Sequence, residues 1–168
     1  MFKFGYFKYN NHGVNVKLFL FPAVPKLRSF NNFIRFSLNK MMLKKISDDI
    51  DIIHVHNSVA GEAALWCKNK FNIPYCVTEH SSAYARGLIK EDEMKIYKKI
   101  YQNADYNIAV SKEFCKLLSK TFDLSFKYIP NIVDTDFFIP SKKKYSNKSF
   151  KFINIANLNK NKNQYKNT

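Results

Sequence analysis

Short apolar runs alternate with stretches of helical period along most of this chain, and that alternation constrains the fold more than any other feature. The runs are residues 14–21 (VNVKLFLF), 50–56 (IDIIHVH), 75–78 (YCVT), 106–110 (YNIAV) and 126–129 (FKYI), with another at 150–155 (FKFINI). Between them, residues 27–46, 59–71, 90–103 and 112–121 read as helices. The first carries an apolar stripe with Lys and Arg on its other side, and the third opens on Glu91, Asp92 and Glu93, as the helix dipole favours. Strand–helix alternation with apolar strands predicts an α/β fold: a Rossmann-like parallel sheet with helices on both faces. The polar, Lys-rich stretch 141–149 reads as a linker, which divides the chain into a domain over 1–140 and the start of a second unit over 150–168.

Several classes are excluded. The 168 residues suffice for one ordinary domain, and 46% hydrophobic content is enough for a core. Four Gly rule out every glycine-rich phosphate loop, and no GxSxG occurs. No apolar run approaches the length of a membrane span, and residues 1–9 alternate Lys with aromatics without the apolar segment of a signal peptide. Cys67, Cys76 and Cys115 lack CxxC spacing and read as buried thiols of a cytoplasmic protein. No HxxH or HExxH spacing supports a metal site, and no cofactor is expected.

The net charge of +15 is uneven. Residues 1–46 hold nine Lys or Arg and no acid, residues 141–168 hold eight Lys and no acid, and the middle is near neutral. A general compositional bias toward Lys, Asn, Ile, Phe and Tyr accounts for part of this. The acid-free first 46 residues point further, to an anionic membrane surface. Nucleic acid is disfavoured, because only Arg28, Arg35 and Arg86 are available for bidentate contacts.

Ligands of open α/β sheets dock at the carboxyl ends of the strands. That rule selects Asn57 and Ser58 after the second run, Glu79, His80 and Ser81 after the third, Ser111 after the fourth and Asn131 after the fifth. Alternation puts His54 and His56 on one face of the sheet, where each alone is more often a hydrogen-bonded structural histidine than a catalyst. Glu79-His80 is the stronger pair, with His80 able to act as a base or as a donor to a hydroxyl or phosphate.

Four segments, DIIHVHN (residues 51–57), IPYCVTEH (73–80), ADYNIAVS (104–111) and YIPNIVDTDFF (128–138), resemble in order and spacing the glycosyltransferases of family 4. These are retaining, nucleotide-sugar-dependent enzymes of the two-Rossmann-domain (GT-B) type. Thr78, His80, Ala104, Asp105, Ser111, Pro130, Asn131, Val133, Asp134 and Phe138 match the family pattern, while Ile132 stands where Gly is usual. The resemblance implies His80 as the catalytic-site residue, with His56, Asn57, Glu79, Ser111 and Asn131 as substrate contacts. It also implies Lys162 as a donor-phosphate contact, although Asn157 replaces the expected Arg.

The family's first strand and its Gly-containing loop find no counterpart, nor does the E-x7-E donor motif. The expectation is therefore an acceptor-side domain with a stub of the donor domain, inactive by itself, as from a truncated gene product. The implied partners are a nucleotide sugar, which is a substrate and not a cofactor, and a saccharide or lipid-linked acceptor of cell-surface polysaccharide or glycolipid assembly. The implied location is cytoplasmic, peripheral on the inner face of the membrane. The competing reading is a basic membrane-surface or partner-binding module without catalysis.

Overall fold

The structure, a computed structural model, describes residues 5–22 and 24–140. The proposed linker 141–149, the run 150–155 and Lys162 lie outside the described residues. The chain divides into two compact units, Met1–Asn131 and Ile132–Thr168.

The first unit opens with a hairpin, β1 (Gly5–Asn11) and β2 (Val14–Leu20), paired antiparallel. Its turn residues His12 and Gly13 both have positive φ, 48° and 85°, and the Asn10 side chain accepts from the Gly13 amide at 3.0 Å. Two residues with φ above zero match the twist of the flanking strands. The run 14–21 is thus a strand over Val14–Leu20, as expected, but one outside the parallel sheet. Its partner is the Lys–aromatic alternation of residues 5–11, in which no element was expected. Helix α1 (Arg28–Lys44) follows. It has no acidic residue in its first turn, and the Asn31 side chain holds the approach by bonding both the amide and the carbonyl of Val24 at 2.9 Å.

The main sheet is parallel, in the order β3 (Ile53–His56), β4 (Tyr75–Glu79), β5 (Tyr106–Ala109) and β6 (Lys127–Tyr128). Helices α2 (Gly61–Phe71), α3 (Glu91–Asn103) and α4 (Lys112–Phe122) connect successive strands. The α/β class and the four parallel strands agree with the sequence reading. The second apolar run forms a shorter strand than expected: a single 3-10 turn occupies residues 47–49, residues 50–52 are irregular, and the strand begins only at Ile53.

The registers Val55↔Val77 and Thr78↔Ile108 set the two faces. Val55, Tyr75, Val77 and Ala109 share the face that packs on Ala64, Ile100, Tyr101, Leu118 and Phe122, all at most 5% exposed. His54, His56, Cys76 and Thr78 fall by alternation on the other face. Gly61 sits where α2 passes α3: a Cβ there would come within 2.5 Å of Ile100 Cγ2. Asp105 secures the lower end of the sheet, accepting from the Tyr75 amide at 2.9 Å while Lys68 Nζ reaches both its carboxylate oxygens and the Asn103 carbonyl. The Lys68 ammonium, first, and the Tyr75 amide hold the Asp105 carboxyl below the usual carboxylate range against a smaller opposing effect of burial.

In the second unit, described over residues 132–140, Asp134 organises a turn. Its side chain accepts from the amides of Asp136 and Phe137, both at 3.0 Å, and its carbonyl accepts from Phe138.

Candidate functional site

The carboxyl ends of β3 and β4 meet through three histidines. His54 Nε2 lies 2.7 Å from Thr78 Oγ1, and His56 Nδ1 lies 3.2 Å from His80 Nε2. The His54 and His56 rings are 4.2 Å apart between centroids, and those of His56 and His80 stack at 5.4 Å. The part of the His54 ring that packs against its neighbours loses hydration, which lowers its pKa; the nearby His56 and His80 lower it further. His56 and His80 are both exposed, so each keeps a second ring nitrogen for solvent or a ligand.

Asn57 ends β3 with φ 80° and its side chain accepts from the Val59 amide, while its own amide bonds the Thr78 carbonyl at 2.8 Å. Its polar groups are largely spent on the turn. Ser111 likewise caps α4, accepting from the Phe114 amide at 3.1 Å.

Glu79 corrects the expectation of a substrate contact. It is 0% exposed, and each of its oxygens already accepts two hydrogen bonds. Oε2 takes the Ser58 amide at 2.9 Å and the Tyr101 hydroxyl at 2.8 Å; Oε1 takes the amides of His80 at 3.0 Å and Ser81 at 2.8 Å. Alternation along β4 turns Glu79 to the helix-covered face and His80 away from it, so adjacent residues have opposite surroundings.

Beside His80 lies a cavity of about 360 Å³ at the carboxyl ends of β4 and β5. His80, Ser81, Ser82 and Ser111 form its polar side and Ala85, Phe114 and Leu117 its apolar side, with Glu113 at the α4 turn. Of the expected contacts, His80 and Ser111 line this cavity. Asn131 is exposed and does not line it. His56 instead lines a larger groove of about 810 Å³ along the free edge of β3, bounded by β2 and α1 and containing His54, Lys17 and Arg35. Sequence reasoning passed over Ser82, Phe114 and Leu117. Ser81-Ser82 directly after the strand end was the available signal, whereas Phe114 and Leu117 looked like ordinary positions of an amphipathic helix. Among the described residues no group of three or more His, Cys, Asp or Glu side chains is arranged to hold a metal ion.

Such a cavity suits a ligand with an apolar face and a hydroxyl-bearing edge. The family model for Glycosyltransferase Family 4 matches residues 4–137, so the chain belongs to glycosyltransferase family 4. No match was found among curated proteins.

Proposed function

We propose that the unit Met1–Asn131 is the acceptor-side domain of a retaining glycosyltransferase of cell-surface polysaccharide or glycolipid assembly, and that the cavity beside His80 holds the acceptor saccharide. The observation that carries this reading is the two-sided lining of that cavity at the strand ends of a family 4 domain. Phe114 and Leu117 offer a surface for the C–H face of a pyranose, and Ser81, Ser82 and Ser111 offer hydroxyls to its edge. His80 stands at the rim with one ring nitrogen on His56 and the other available to accept a proton from, or donate to, the acceptor hydroxyl. The donor is a nucleotide sugar, whose departing diphosphate needs positive charge; Lys162 is the residue this chain offers for it.

Catalysis of this kind consists of holding donor and acceptor in line. Residues 5–140 supply a cleft for one of the two, so the 168-residue chain is expected to bind saccharide but not to transfer sugar. The test incubates the purified chain with a panel of radiolabelled nucleotide sugars and with saccharide and prenyl-phosphate-linked acceptors. No product above the protein-free blank is expected. Turnover with any donor would show that both walls of the reaction site are present.

A second observation favours a membrane-facing role for the same unit. Helix α1 exposes Phe30, Phe33 and Met41, with Phe33 66% exposed, and Lys44 continues the stripe at the spacing of one helical face. Lys26 and Lys45 are exposed beside it. Aromatic side chains rimmed by Lys, in a segment without acids, suit the boundary of an anionic lipid layer. Among the described residues no helix is long and apolar enough to cross a membrane. We therefore place the protein peripherally on the cytoplasmic leaflet, where a lipid-linked acceptor would be presented.

A further inference from the structure

We propose that Glu79 is the positioning residue of the His80 cleft: one buried carboxylate fixes the turn after β3 and the turn after β4 in a single arrangement. Its four donors come from three separate parts of the chain. Ser58 belongs to the turn that follows His56, His80 and Ser81 begin the cavity wall, and Tyr101 projects from α3. Because both turns close on the same carboxylate, the His56 and His80 rings are delivered to one another at 3.2 Å.

The carboxylate also sets the direction of every hydroxyl around it. A carboxylate only accepts, so Tyr101 must donate to Oε2. The Tyr101 oxygen, 3.1 Å from Tyr84 OH, then receives the Tyr84 proton. The Tyr84 oxygen in turn receives the proton of Ser58 Oγ, 2.7 Å away. The chain Ser58 to Tyr84 to Tyr101 to Glu79 closes back on Ser58 through its amide. Tyr84 lies within the loop of turns after β4, whose Ser81, Ser82 and Ala85 line the cavity, so this ring of bonds anchors the cavity wall as well as its first residues. Burial pushes the Tyr84 and Tyr101 hydroxyls well above their ordinary range, which keeps them as neutral donors throughout.

An amide cannot take the place of this carboxylate. Gln at position 79 has one oxygen. Placed toward His80 and Ser81 it keeps those bonds, and its NH2 can pair with a Tyr101 hydroxyl that has turned round, but the Ser58 amide then faces a donor. The two turns are no longer tied to each other.

The functional consequence rests on the reading of the cavity as the acceptor site, but the test needs no ligand. In the unsubstituted chain the amides of Ser58, His80 and Ser81 should exchange roughly a hundredfold more slowly than exposed loop amides, with protection factors that agree within about tenfold, since one group holds all three. In Glu79→Gln, Ser58 should lose that protection while His80 and Ser81 keep it. The imidazole 15N signals of His56 and His80 should move toward those of rings not bonded to each other, whereas in Tyr101→Phe, which removes one donor and leaves both turns held, they should stay. Fast or unrelated exchange of the three amides in the unsubstituted chain would overturn the proposal even if Glu79→Gln does not fold. So would a folded Glu79→Gln chain with unmoved ring signals. Absence of saccharide binding with these results intact would overturn only the acceptor reading.

Discussion

His56 Nδ1 and His80 Nε2 stand 3.2 Å apart, which joins the carboxyl ends of β3 and β4 through their imidazoles. Their hydrogen bond needs a proton on one of the facing nitrogens and a lone pair on the other, so a neutral pair shares one tautomer, both Nδ1–H or both Nε2–H. Long-range 1H–15N spectra should show one protonated and one unprotonated nitrogen at the contact. In His56→Ala, the His80 nitrogens should move toward the tautomer mixture of a free imidazole. Unchanged His80 signals in that variant would show that the contact does not persist in solution.

His54 predicts a pH dependence of stability. Its folded pKa is lowered from 6.5 by partial burial first and then by His56 and His80, so the unfolded chain binds its proton more readily than the folded one. Stability from this group is therefore present above about pH 6.5 and lost as pH falls from there through the folded pKa. Melting temperatures of the chain and of His54→Gln, measured from pH 8 to 5, should converge toward the acid end. A parallel decline in both would assign the acid sensitivity to other groups.

Asp105→Ala removes the partner of Lys68 and leaves the Tyr75 amide without its acceptor. The half-exposed ion pair contributes little, and the larger loss is the unsatisfied amide at the start of β4, together about 1–2 kcal/mol. Because the folded pKa of Asp105 lies below 3.8, its contribution is present above that pH and disappears as pH falls through the lowered value. Urea unfolding should show a smaller difference between the two chains at pH 3 than at pH 7, and what remains at low pH is the unsatisfied Tyr75 amide.

Gly61→Ala puts a methyl group against Ile100, which is wholly buried and β-branched and so has little freedom to retreat. The usual gain of Ala over Gly in a helix, about 1 kcal/mol, is outweighed by overpacking of about 1–3 kcal/mol. The combination Gly61→Ala with Ile100→Ala, which removes the Cγ2 methyl in the way, should cost less than the two single substitutions added together. A stabilised single variant would mean that α2 and α3 can separate at no cost.

Liposome sedimentation tests the basic face of α1. Vesicles of anionic phospholipid should bind the chain and neutral vesicles should not, with binding weakened by salt and by Lys44→Glu, each nearby charge contributing about 1 kcal/mol. Phe33→Asp should also weaken it. Equal binding to neutral vesicles would reduce the effect to exposed apolar surface.

The parallel sheet was legible because its signals are local. Residues 75–78 and 106–110 are mainly apolar runs, closed by Glu79 and by Ser111, and Asn72, with positive φ at the end of α2, is a common stop signal. The hairpin pairing escaped because β1 is largely exposed and its aromatics are broken by Lys and Asn, although His12-Gly13 between two alternating segments was a usable turn signal. Glu79 escaped for a different reason. Two of its four partners, Ser58 and Tyr101, lie more than twenty residues away in opposite directions, and nothing in the sequence around position 79 shows that they converge on it.

The proposed function depends above all on a saccharide in the cavity beside His80. Titration of the 15N-labelled chain with methyl glycosides and short oligosaccharides tests it most directly. Shifts are expected at His80, Ser81, Ser82, Ser111, Phe114 and Leu117, and they should be lost in Leu117→Trp, which fills the cavity. Shifts gathered along the β3 edge at Lys17, Arg35 and His54, with the His80 cavity silent, would contradict it.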